Sequence, residues 1–101
     1  MERIARISEM EEALDAQTAL LDQLSAAIDT YKAGMGRLRR LEEYYGSEEW
    51  FSDREADENG ELPDGLKRGV LSEDIPYELL IDTRELALRM VETGASILRV
   101  V

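Results

Sequence analysis

Ile7, Leu14, Leu21, Ile28 and Met35 recur every seven residues, and Met10, Leu24, Tyr31 and Leu38 each stand three places after one of them, with Gln17 the one polar interruption. An apolar repeat of 3.5 residues held over about four heptads describes a narrow seam on a helix that packs lengthwise against another at a shallow angle. Acidic residues such as Glu9, Glu12, Asp15, Asp22 and Asp29 fill the other face. The spacing predicts a helix over about residues 3–45, roughly 60 Å long at 1.5 Å per residue. Gly34 and Gly36 flank Met35, and each weakens a helix interior by about 1 kcal/mol. The alternative to a continuous rod is therefore a hinge at these glycines that folds the helix back on itself.

Gly46 punctuates the chain, and Ser47 can cap a second helix with Glu48 and Glu49 in its first turn, where the helix dipole favours negative charge. This short acidic helix is expected over about 47–58, closed by Asn59 and Gly60, which tolerate the left-handed conformation of a helix end. Residues 59–72 then read as a loop. Leu62-Pro63-Asp64-Gly65 suits a type I turn, and Leu62, Leu66, Val70 and Leu71 supply apolar anchors. A last helix is expected over about 74–99, with Pro76 tolerated in its first turn. Its stripe is Leu79, Leu86, Met90, Ile97 and Val101, with Asp82 and Thr83 as polar gaps and Gly94 as a weak point. The fold class that follows is all-α: an antiparallel helical hairpin or bundle of a long N-terminal helix, a short acidic helix and a C-terminal helix, in a single helical domain covering 1–101. A buried amide must be paired. Gln17 is accordingly expected to meet Asp82, Thr83 or its own symmetry mate.

Composition narrows the function classes. With 12 basic and 23 acidic residues the net charge is −11, and such a chain repels phosphate backbones and anionic lipid headgroups, which argues against nucleic-acid and membrane-surface roles. Residues 46–66 hold eight acids and one base, Arg54, so most of the excess sits in that stretch. No cysteine and no histidine occurs, which removes thiol nucleophiles, disulfides, imidazole bases and nearly every zinc geometry. The opening residues MERIARISEMEE lack the apolar core of a secretion signal, and no apolar run approaches the roughly 20 residues that span a bilayer. The expected setting is cytoplasmic.

The stretch EADENGELPDGL, residues 55–66, looks like a calcium loop, with Glu55, Asp57 and Asn59 at alternate positions before Gly60. An EF-hand, however, needs a bidentate acid at position twelve. Leu66 stands there, so the simpler reading is an acidic helix ending at Asn59-Gly60 before a proline turn, with no metal and no cofactor assigned. Glu9-x-x-Glu12 resembles the magnesium-holding pairs of all-α nucleotide pyrophosphohydrolases, but with Ile7, Met10 and Leu14 on the seam both glutamates point away from it and no second pair answers them. No activated nucleophile is evident and no catalytic residue is assigned. Trp50 and Phe51 are helical neighbours about 100° apart, so they cannot share one packing surface equally. With Tyr45 they are candidate partner-surface residues ringed by acids; packing together with Tyr44 and Tyr45 at the end of a bundle is the plainer reading. Arg37, Arg39, Arg40, Lys67 and Arg68 are expected to balance neighbouring carboxylates.

From Tyr44 to Asp74 the chain reads YYGSEEWFSDREADENGELPDGLKRGVLSED, preceded by a helix opening with RIARISEMEEALD. This resembles a family of short bacterial proteins catalogued only as a domain of unknown function. Tyr45, Ser47 to Trp50, Ala56 to Asp57, Glu61 to Pro63 and Leu66 to Asp74 carry the resemblance, which extends over nearly the whole chain. It implies a bacterial, cytoplasmic, stand-alone helical protein, and it brings no activity, ligand or catalytic residue with it.

The functional expectation is a non-enzymatic protein–protein interaction module with an unidentified protein partner. Two other classes compete: a divalent-cation or small-ligand binder using the acidic segment 53–64, and an acidic decoy of a basic nucleic-acid-binding surface. A seam near 60 Å is longer than a last helix of about 38 Å can cover. The leftover stripe predicts a homodimer in which the long helices pair in part across a two-fold axis, a four-helix arrangement being one form of it; the hinged monomer is the alternative.

Overall fold

A computed structural model describes residues 2–101 as helices and turns, with α1 spanning Glu2–Tyr44, α2 Glu48–Glu58, a 3-10 turn Gly69–Leu71 and α3 Asp74–Val100. The all-α expectation holds among the described residues. The chain divides after Leu38 into two units.

The first unit is the bulk of α1. It carries seven alanines and no proline between Ala5 and Ala33, so little opposes helix propagation over 43 residues, or about 65 Å. The helix runs unbroken through Gly34 and Gly36, so the hinge does not form. No residue of α1 is buried. Leu14 is 59% exposed and Leu21 68%, with Ile7, Met10 and Leu24 also more than half exposed. Gln17 is exposed with them, while Thr83 donates its hydroxyl to the Leu79 carbonyl at 2.7 Å. The burial and pairing expected of Gln17 are therefore corrected: within one chain its side chain is exposed.

The second unit, residues 39–101, holds what core there is: Trp50 at 3% exposure, Leu71 at 8%, and Pro76 fully buried. Its local structure follows the capping rules. α1 stops at a turn in which the Ser47 N–H donates to the Tyr44 carbonyl at 3.0 Å, with Gly46 at φ 82°, a conformation that costs an L-residue about 1–2 kcal/mol. Ser47 is extended and its hydroxyl accepts from the Trp50 N–H at 3.2 Å, so α2 has the expected cap. α2 closes with the Gly60 N–H on the Asp57 carbonyl and the Glu61 N–H on the Ala56 carbonyl. These are the two bonds of a Schellman end, with Gly60 at φ 69° as its left-handed residue. Asn59 itself stays at φ −84°.

One detail differs from expectation. The proline turn is one residue later than Leu62–Gly65, because the Leu66 N–H donates to the Pro63 carbonyl at 3.1 Å. Pro63 therefore opens the turn, and its carbonyl also accepts from Arg68. Before α3, Ser72 is extended and its hydroxyl accepts from the N–H groups of Asp74 and Ile75 at 3.2 and 3.3 Å. Ser72 thus caps a helix that Glu73, already helical in φ and ψ, begins. Pro76 falls in the first turn, as expected. No helix among the described residues is long and apolar enough to cross a membrane.

Candidate functional site

The best-organised cluster in the second unit is built around Trp50. The Ser47 cap fixes the start of α2, which turns Trp50 inward and leaves its neighbour Phe51 58% exposed. The indole N–H donates to the Val70 carbonyl at 2.9 Å, satisfying the one polar group a buried tryptophan carries. Tyr45 meets the indole edge-on with ring centres 5.0 Å apart, and its hydroxyl donates to the Glu73 carbonyl at 2.9 Å. The Arg54 guanidinium lies 4.7 Å over the indole and donates to the Glu73 carboxylate at 3.1 Å. Phe51 also packs nearly perpendicular to the indole, with ring centres 5.0 Å apart. The end of α1, α2 and the start of α3 are thereby tied together by one side chain and its neighbours. Of the three aromatic partner-surface candidates, Trp50 is buried, Tyr45 half-buried, and Phe51 alone offers a largely free ring.

A second clasp is centred on Arg68. Its guanidinium donates to the Asp57 carboxylate of α2 and to the carbonyls of Pro63 and Leu66. Partly shielded from water, this ion pair holds the loop to α2 where a fully exposed pair would contribute little. Arg68 thus balances a neighbouring carboxylate, as expected of it, while its bonds to the Pro63 and Leu66 carbonyls had no signal in the sequence beyond a base placed just after a proline turn.

The residues of the calcium-like stretch are spread out. Glu55 and Asp57 both lie in α2, two residues apart and so about 200° apart around the helix. Asp57 is engaged by Arg68, and Asn59 caps the helix through its backbone. Among the described residues no group of three or more acidic side chains is gathered in a way that could hold a metal ion. Tyr44 sits at this end too. Partial burial, the 2.5 Å hydrogen bond it donates to Asp53, and the charges of Asp53 and Glu49 push its hydroxyl up to about 12, away from any role as a base near neutral pH.

Beside the Trp50 cluster lies an open apolar groove of about 310 Å³ lined by Leu41, Gly69, Val70, Ile75, Pro76 and Leu79, with Lys67 at its rim. It can receive an apolar side chain but supplies no convergent polar groups to orient a small molecule. The arrangement of the second unit is therefore one of packing and clasping. The largest unmatched chemistry in the chain is apolar: the seam of α1 and the exposed stripe of α3, in which Leu79, Met90 and Ile97 are each about half exposed.

No match emerges among curated proteins or among solved structures. One family does match, over residues 7–93, which takes in the α1 seam, the Trp50 and Arg68 clasps and most of α3. Its reach across every element just described shows that the chain belongs to the family described as Domain of unknown function (DUF4298).

Proposed function

We propose that the protein is a non-enzymatic interaction module that works by helix packing and self-associates as a homodimer through α1. The observation that supports this reading is the open seam. Ile7, Met10, Leu14, Leu21 and Leu24 are each more than half exposed along one face of a continuous helix. Single chains rarely leave a contiguous apolar stripe of that length in water, and covering it is worth about 25 cal/mol for each Å². Two-fold pairing is the commonest closed solution. The α3 stripe is a second surface of the same kind, available to the partner chain or to a client helix. A cytoplasmic setting belongs to the same reading.

Light scattering over a concentration series tests it. The expected mass is twice the 11.5 kDa of the chain, and Leu14→Glu with Leu21→Glu is expected to abolish association while leaving the Trp50 cluster folded. A mass of one chain at every micromolar concentration would sink the reading.

A further inference from the structure

Resting on that reading, we infer that the two copies of α1 pair antiparallel, about a two-fold axis between Asp22 and Gln23, with Glu11 of each copy facing Lys32 of the other. The seam permits this register with one polar interruption, Gln17, which falls against the partner's Ile28. In an antiparallel pair the two seam positions of the heptad meet each other. Centring the axis there sets Ile7 against the partner's Leu38, Leu14 against the partner's Tyr31, and Leu21 against the partner's Leu24. A shift by one heptad in either direction strands seam residues at both ends.

The charges select the direction. Residues 9–15 contain four acids and no base, whereas residues 32–40 contain Lys32, Arg37, Arg39 and Arg40 and no acid. Antiparallel pairing lays the acidic stretch of each copy beside the basic stretch of the other, and parallel pairing lays like on like. Along one flank Glu11 meets the partner's Lys32. Along the other flank Ala13 meets the partner's Gly34, and Leu20 meets the partner's Ala27. These are small or apolar residues that allow close approach. Gly34 fits this place, because a Cβ there would touch nothing within its own chain.

The strongly acidic stretch 46–66 begins just past the end of α1. A parallel dimer would start both stretches roughly 10 Å apart, the spacing of packed helices. The antiparallel dimer starts them about 65 Å apart, many times the screening length of about 8 Å. The area suffices as well. Nine apolar seam residues at roughly 60–100 Å² apiece approach the ~800 Å² that each partner buries in a standard interface.

Spin labels read the direction. With Ala5→Cys and Ala26→Cys, both on the face opposite the seam in a chain otherwise free of cysteine, the axial separation is about 52 Å at the first position and about 10 Å at the second. The Ala5 labels are therefore expected to read roughly twice as far apart as the Ala26 labels or more. Equal distances at the two positions would overturn the inference while leaving the dimer intact. A mass of one chain would overturn the proposed function beneath it. As a second measurement, Glu11→Lys and Lys32→Glu singly are each expected to weaken the dimer about tenfold at low salt, by turning two attractions into repulsions. The combined Glu11→Lys/Lys32→Glu variant is expected to regain the lost affinity, and failure of that rescue would refute the register.

Discussion

At the scale of single residues, the second unit depends on side chains that each satisfy several neighbours. Trp50 offers a large apolar surface and one N–H, and the fold gives it Tyr45 and Phe51 as near-perpendicular ring neighbours, Arg54 over the ring, and the Val70 carbonyl as acceptor. Tyr44, next to Tyr45, makes a different contribution, tied to its proton. Its ordinary value near 10 is pushed up to about 12 by partial burial, the bond to Asp53 and the nearby charges. The folded state therefore holds that proton more tightly than the unfolded chain. The stability it adds is fully present below pH 10 and is lost as pH rises through about 12. Tyr44→Phe is expected to be destabilising at pH 8, with its difference from the wild type shrinking between pH 10 and 12 in urea titrations followed by circular dichroism. A difference independent of pH would mean that the hydroxyl carries no linked proton.

At the scale of elements, glycine has opposite meanings at two places. Gly36 lies within α1 and a Cβ there would meet nothing within 4 Å. Gly36→Ala is expected to raise helix stability by about 1 kcal/mol, since alanine loses less backbone freedom. Gly60 ends α2 at φ 69°, and Gly60→Ala is expected to cost about 1–2 kcal/mol although its Cβ would also find open space. Thermal melts of the two variants should move in opposite directions. Movement in the same direction would contradict the assignment of Gly60 as the closing residue of a Schellman end.

At the scale of the molecule, the buried side chains among the described residues are Trp50, Leu71 and Pro76. That is a slender core for 101 residues, because small domains bury a modest share of their surface and commonly need a partner to add to it. Folding and association are then coupled by mass action. The melting temperature is expected to rise by roughly 3 °C for each tenfold increase in protein concentration, given the entropy of unfolding two chains of this size together. Differential scanning fluorimetry over two decades of concentration checks this, and a constant midpoint would separate folding from association.

By itself the sequence determined the helices, because their signals are local. The heptad of Ile7 to Leu38 marks α1, Ser47 and Gly60 bracket α2, and Pro76 sits where a first turn admits it; each depends on residues within a few positions. The same locality reads Asn59-Gly60 as a helix end, which the bonds of Gly60 and Glu61 match. What only the tertiary structure decided involves residues distant in the chain. Which of Trp50 and Phe51 turns inward depends on the Val70 carbonyl, twenty residues from Trp50. The part played by Arg68 depends on Asp57 and Pro63 arriving together around its guanidinium. The continuity of α1, by contrast, matches the spacing read from the sequence and holds through Gly34 and Gly36 with no residue of the helix buried. A periodic pattern states that a face must be covered. It carries no term for the range, geometry or identity of what covers it, and those are set by contacts between elements.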